Sequence, residues 1–229
     1  DPETAFKWVD VMLLRITEPE VMNDPLQVDA HAAADFSNTD QAMVDRIATL
    51  LESSGNSFPD QARLLDLGCG PGNISSRLAQ RWPHCSVLGL DAADRMIAVA
   101  DERRSAAGIS RERLRYDKAF LPLSQAGKPA NLIVSNSLLH HLHDPHQLWL
   151  SLIPLASAHC LVLHRDLRRP DSEACIDQLC DCHVADAPAV LQRDYRASLH
   201  ASFTLDEVRV QLQQAGLVTL QVSAVEDRY

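Results

Sequence analysis

No stretch of the sequence reaches the roughly 18 apolar residues that a bilayer-spanning helix needs, so no segment reads as a membrane anchor. Positive charge is scarce as well. The 21 Lys and Arg against 31 Asp and Glu leave a net charge of −10, which repels a phosphate backbone unless a local basic patch overrides it. The densest basic stretches are Arg103-Arg104, Arg111 to Arg115 and Arg165 to Arg169. Each is interleaved with acids or falls where a solvated helix face or loop belongs, so nucleic acid is not expected as a partner. The chain has no Cys-x-x-Cys pair, no charged-then-apolar signal segment at its start, no internal repeat and no low-complexity tract. Of its six cysteines (Cys69, Cys85, Cys160, Cys175, Cys180 and Cys182), three lie in or beside apolar segments. That placement suits free thiols in a reducing, cytoplasmic setting.

What remains is ordinary globular composition over 229 residues, enough for one large domain with an N-terminal extension. Residues 1–60 read as helical and connective. Phe6, Val9, Met12, Leu13 and Ile16 recur at three-to-four spacing, and so do Met43, Ile47, Leu50 and Leu51, which predicts two helices. Glu18-Pro19 and Asp24-Pro25 break the pattern between them. From residue 61 onward the texture changes to short apolar runs separated by helical stretches, the pattern of repeated β-α units and a parallel sheet with helices on both faces. The predicted strands are Leu64-Leu67, Ser86-Leu90, Arg113-Tyr116, Asn131-Ser135, Cys160-His164 and Val218-Val222. Helices are predicted at about 73–81, 93–106, 145–152, 171–183 and 204–215. The last is marked by a Thr204/Glu207 capping box and by Gly216 just beyond its end.

The strongest local signal is Leu64-Leu65-Asp66-Leu67-Gly68-Cys69-Gly70-Pro71-Gly72-Asn73, an apolar strand running into a glycine-rich turn that opens a helix. A tight bend that lets a ligand approach the backbone calls for glycine. The next strand ends in Asp91, 19 residues after Gly72, where a carboxylate can accept hydrogen bonds from ribose hydroxyls. Dinucleotide sites favour a third glycine where Asn73 stands. Asp66, just before the turn, opposes a phosphate but suits the ammonium of a methionine moiety. The charge argument therefore favours S-adenosylmethionine over NAD.

Over roughly Arg63 to Val222 the sequence resembles the class I S-adenosylmethionine-dependent methyltransferases, whose fold is a Rossmann-like doubly wound α/β sheet. The resemblance implies that Asp66, Gly68, Cys69, Gly70 and Gly72 hold the methionine part, that Asp91 binds the ribose, and that Ala92 and Met96 lie near the adenine. It implies that Tyr116-Asp117-Lys118 offers Asp117, with Lys118 beside it, to the adenine amino group. Ser135 and Asn136 would face the cofactor, and His140 and His141 would point toward the acceptor as candidate bases. The implied activity is methyl transfer to a small-molecule acceptor, leaving S-adenosylhomocysteine.

His164, Arg165 and Asp166 follow the fifth strand at the edge where open α/β sheets bind ligands, and are candidates for acceptor contact alongside a closed structural loop. Trp8 to Arg15, Asp35-Phe36 and Asp186 to Phe203 are candidate acceptor-lining segments, the first of them within a helical lid. Cys175, Cys180, Cys182 and His183 lack zinc spacing, so no metal site is expected. The family's final antiparallel strand would begin where the chain stops. It is therefore expected to be missing, or to come from a second copy in a homodimer. An NAD-dependent oxidoreductase and a non-catalytic cofactor-binding partner protein remain the alternatives.

Overall fold

The computed structural model describes residues 13–124 and 127–229. Along the chain run α1 (Pro25–Ala33), α2 (Ser37–Ser53), β1 (Arg63–Leu67), α3 (Asn73–Arg81), β2 (Ser86–Asp91), α4 (Asp94–Ala106), β3 (Leu114–Lys118) and β4 (Ala130–Asn136). A single 3-10 turn (Leu139–His141) follows, then α5 (His146–Leu155), β5 (Ala156–Arg165), α6 (Glu173–His183), α7 (Ala189–Ala201) and α8 (Leu205–Gln214).

The five strands pair in the order β3-β2-β1-β4-β5, all parallel. Order reverses between β1 and β4, and at such a switch point the loops leaving the strands diverge and open a crevice. Both faces of the sheet are covered, so β1 reads as a nearly unbroken apolar run instead of alternating. Leu64, Leu132 and Val134 pack with Met43 and Ile47 of α2 and Leu78 of α3. Leu65, Leu67 and Ile133 pack with Leu148 and Trp149 of α5 and Leu212 of α8. No described helix is long and apolar enough to cross a membrane.

The second core carries one buried polar contact. Trp149 Nε1 donates to Gln211 Oε1 at 2.9 Å, with both residues buried. Trp149→Phe keeps most of the ring but orphans the Gln211 oxygen. It is expected to cost about 1–3 kcal/mol, read as a lower urea midpoint with an unchanged denaturant slope.

Three sequence expectations are corrected. The periodicity through Leu13 and Ile16 does not make a helix. Residues 13–19 form an extended strap in which Ile16 N donates to His200 O at 3.0 Å and the Arg15 guanidinium reaches Ala201 O, His140 O and Leu142 O. Contacts with distant segments replace the local ladder. Phe6, Val9 and Met12 lie outside the described residues. Asp24-Pro25, read as a break, starts α1: the Asp24 carboxylate accepts from Leu26 N and Gln27 N, and proline at the first helical position loses no bond. The segment before the last helix, a candidate acceptor wall from sequence, holds α7, which opens just after Pro188. Val218–Val222, read as a sixth strand, is turn and coil, because no described strand lies beside it to take its hydrogen bonds.

The described sheet contains no antiparallel strand. Instead Asp227 to Tyr229 run antiparallel beside the residues following β5, with Arg168 N donating to Asp227 O and Asp166 and Tyr229 exchanging both backbone bonds.

Candidate functional site

The turn from β1 into α3 is built around glycine. Gly72 has φ +81°, and a Cβ there would lie 2.4 Å from the Tyr116 hydroxyl, so Tyr116 packs beneath the turn only because no side chain stands in the way. Gly70, at φ +50°, is the opposite case. A Cβ there would meet nothing within 4 Å, which leaves the backbone facing open space at the mouth of the crevice.

Asp91, at the end of β2, closes the other side. Its Oδ2 accepts from Gly70 N at 2.8 Å and its Oδ1 from Ala93 N at 2.8 Å, so one carboxylate ties the turn to the start of α4. Burial raises its pKa against the pull of these amides, and each oxygen keeps a free lone pair. Asp66 sits deeper. It is 2% exposed and takes the Ser75 hydroxyl, and burial pushes its carboxyl up to about 7.

These groups border a cleft of about 570 Å³, within the usual range for a small-molecule site. Of the residues singled out from sequence, Asp66, Gly68, Cys69, Gly70, Asp91 and Ala92 line it. Met96, Asn136, His140 and His141 do so as well. Gly72 acts from behind through the backbone, and Ser135 is buried within β4. Asp117 and Lys118 are not on the wall. Asp117 pairs with Arg115 Nε at 2.9 Å and Lys118 Nζ with Asp94 Oδ2 at 2.6 Å, both pairs substantially exposed. Strand alternation explains this: Tyr116 turns inward, so Asp117 turns away, and Ala119, Phe120 and Leu121 form the wall.

The far half of the cleft is closed by the strap, α1 and α7. Val21, Met22 and His31 face Leu191, Asp194, Tyr195 and Ser198 across it, with Asp35, Phe36 and His183 also on the wall. Trp8 to Met12 fall outside the described residues, and Leu13 packs instead against Leu167, Ile176 and Leu199. Arg165 lines the cleft with its guanidinium committed to Asn136 Oδ1 and Thr39 O. His164 lies off it, its ring edge-on to Trp149, and burial pushes its pKa down to about 4. All six cysteines are free thiols, and none of those on α6 lines the cleft.

At the floor, residues from four segments converge. The His140 ring, 2% exposed, bonds through Nδ1 to Asp166 Oδ1, and Asp166 also accepts from Leu139 N at 2.6 Å and Leu167 N at 2.7 Å. Glu18, from the strap, places Oε1 3.4 Å from His140 Nε2 and 3.3 Å from His141 Nδ1, and accepts from Ser198 Oγ at 3.1 Å. Burial opposes charge on His140, but the Asp166 and Glu18 carboxylates outweigh it and its pKa is raised. His141 is pushed down to about 3 by burial and by the charge on His140. Burial opposes the Asp166 charge too, yet His140 holds that carboxylate well below its ordinary range.

Glu18 was missed from sequence, where Glu18-Pro19 reads only as a pattern break. It lies more than a hundred residues from the histidines it meets, and nothing local marks it.

Residues 64–152 match the family described as Methyltransferase domain. A 127-residue stretch is 34% identical to a trans-aconitate 2-methyltransferase of Methylobacterium nodulans, covering 49% of this chain and 45% of that protein. The chain thus spans less than half the length of the curated relatives it matches. Among solved structures, the plantazolicin methyltransferase BpumL in complex with SAH superposes with a TM-score of 0.68 at 17% identity, over 83% of this chain and 70% of that one. An Aquifex aeolicus SAM-dependent methyltransferase superposes at 0.58 and 17% identity, over 89% and 92%. At that identity the structural likeness establishes the fold.

Proposed function

We propose, on the premise that this chain belongs to the class I S-adenosylmethionine-dependent methyltransferases, that it transfers a methyl group from S-adenosylmethionine to a small-molecule acceptor held beneath the strap and α7. The observation that carries this reading is the Asp91 carboxylate, which spans Gly70 N and Ala93 N beside open space at Gly70, with the second carboxylate of Asp66 behind it. When bound, the cofactor supplies a methyl carbon made electrophilic by its sulfonium. Asp91 accepts the ribose hydroxyls, and Asp66 faces the methionine ammonium. Ala92 and Met96 border the adenine. Two buried carboxylates near one turn suit a cationic ligand and oppose the diphosphate of a dinucleotide, so the oxidoreductase alternative finds no support.

Methyl transfer draws most of its rate from alignment, and the protein supplies that by enclosure. His140 and His141 are the residues that meet the reacting atom of the acceptor. The strap and α1 serve as the covering element that keeps water out. The described acceptor wall carries the carboxylates of Asp35, Asp194 and Glu20 against the guanidiniums of Arg165 and Arg228, each already bonded within the protein: Asp194 to Arg193, Glu20 to His143 N, Asp35 to Ser37 N, Arg165 to Asn136 and Arg228 to Ser137. That balance does not favour a tricarboxylate such as trans-aconitate. A panel of neutral and cationic acceptors, scored by release of S-adenosylhomocysteine, tests the reading. Turnover restricted to di- or tricarboxylates would refute it.

Asp66 gives the reading a pH signature. Its pKa near 7 in the ligand-free protein lies above the ordinary 3.8. Its contribution to stability is therefore fully present below the unfolded value and is lost as pH rises through 7. Cofactor affinity runs the other way. A cationic ligand favours the ionised carboxylate, so below pH 7 binding must expel a proton. Affinity is expected to be about tenfold weaker at pH 6 than at pH 8, with proton release visible as a buffer-dependent heat. Calorimetry showing equal affinity at both pH values and no proton release would remove Asp66 as the partner of the ammonium.

A further inference from the structure

We infer that Glu18, His140 and His141 form a binding site for one divalent transition-metal ion, which holds an oxygen of the acceptor at the floor of the cleft. The inference deepens the proposed function but can be tested apart from it.

The distances carry the argument. Glu18 Oε1 stands 3.4 Å from His140 Nε2 and 3.3 Å from His141 Nδ1, and the three donor atoms all lie within 4.8 Å of one another. Two ligands of a tetrahedral ion with bonds of about 2.0–2.1 Å are separated by about 3.3–3.4 Å. The observed separations are those of atoms sharing an ion, and are longer than a charge-assisted hydrogen bond, which closes to about 2.7–2.9 Å. His141 Nδ1 is buried and without a hydrogen-bond partner, although a carboxylate oxygen lies 3.3 Å away. A buried nitrogen beside a carboxylate oxygen and bonded to nothing is costly unless something bridges the two.

The surroundings supply the outer groups such a site needs. Asp166 engages the other nitrogen of His140, which fixes the ring and turns Nε2 toward Glu18, and Ser198 donates to the Glu18 carboxylate. Two imidazoles with one carboxylate suit zinc and its first-row neighbours, whereas magnesium and calcium prefer all-oxygen shells. Three protein ligands leave a coordination position free, as in catalytic sites, and the cleft lies beside His140 and His141. An acceptor hydroxyl bound there would ionise near neutral pH, its proton passing to solvent water. Neither histidine would then need to act as a base. Among the described residues this is the one such donor group.

The test is Zn²⁺ uptake by the chelator-stripped chain, measured by dialysis and elemental analysis, with Co²⁺ as a spectroscopic probe. One equivalent is expected, with a cobalt spectrum of nitrogen and oxygen ligation. Glu18→Gln and His141→Gln should each weaken binding at least tenfold while S-adenosylhomocysteine uptake stays within about twofold of the unsubstituted chain, which shows that the variants fold. No stoichiometric ion, wild-type affinity in Glu18→Gln, or a thiolate-to-cobalt band placing the ion on cysteine would overturn the site. Stoichiometric zinc without any S-adenosylhomocysteine uptake would sustain the site and refute the cofactor reading.

Discussion

Replacing Asp91 with alanine is expected to weaken S-adenosylhomocysteine binding about 100-fold or more, the largest single loss of affinity available in the cleft. The side chain does two things at once. Its oxygens already hold Gly70 N and Ala93 N at 2.8 Å each, and on the proposed reading their remaining lone pairs accept from two ribose hydroxyls. Hydrogen bonds to a charged partner contribute about 1.5–3 kcal/mol each, so losing two corresponds to at least two orders of magnitude. The turn also loses the group that keeps Gly70 facing the crevice, and this adds a preorganisation cost. Asp91→Asn, which keeps the shape but not the charge, should fall between. Asp117→Ala is the informative contrast. Both carboxylates lie at or next to the end of a strand and both are candidates from sequence, yet Asp117 is half-exposed and paired with Arg115, so its loss should change affinity less than twofold. Calorimetry on the three variants decides the matter. Equal losses at 91 and 117 would mean that the cleft geometry has been misassigned.

Asp166→Ala is expected to destabilise the fold by about 3–5 kcal/mol, a fall in melting temperature on the order of 10 °C for a chain of this size. Asp166 has no exposed surface and accepts from the amides of Leu139 and Leu167 as well as from His140. Removing it strands two buried amides and an imidazole whose charge it had stabilised. Asp166→Asn keeps an acceptor for one amide and should cost less. Chemical unfolding followed by circular dichroism provides the measurement. A loss below 1 kcal/mol for the alanine variant would show that water enters to replace the carboxylate.

The parts of the fold that could be read from sequence are those whose cause is local. Apolar runs such as Leu64-Leu67 declare buried strands, and Gly68, Gly70 and Gly72 declare a turn whose backbone takes positive φ. The Thr204/Glu207 box and Gly216 mark both ends of α8, and the structure shows both cap bonds and a φ of +74° at Gly216. The parts that escaped depend on a neighbour. Val218–Val222 has the texture of a strand, but a strand exists only with a partner to bond. Pro25 looks like a breaker until the Asp24 carboxylate is seen satisfying the amides behind it. Asp117 sits one residue out of phase with the inward face of β3, a matter of register that spacing from Asp91 does not resolve. Glu18 meets His140 and His141 through long-range contacts: Arg15, three residues earlier, is anchored to the same loop, and Ser198 of α7 bonds the carboxylate itself.

That anchoring has a kinetic consequence. The Arg15 guanidinium joins carbonyls of residues 140, 142 and 201, which belong to both banks of the crevice. The Ile16 amide on His200 O and the Glu18 carboxylate on Ser198 hold the same stretch from further points. On the proposed reading, passage of reactant and product beneath it therefore requires several distant bonds to be released together, and loss of Arg15 alone should speed that release without abolishing the cover.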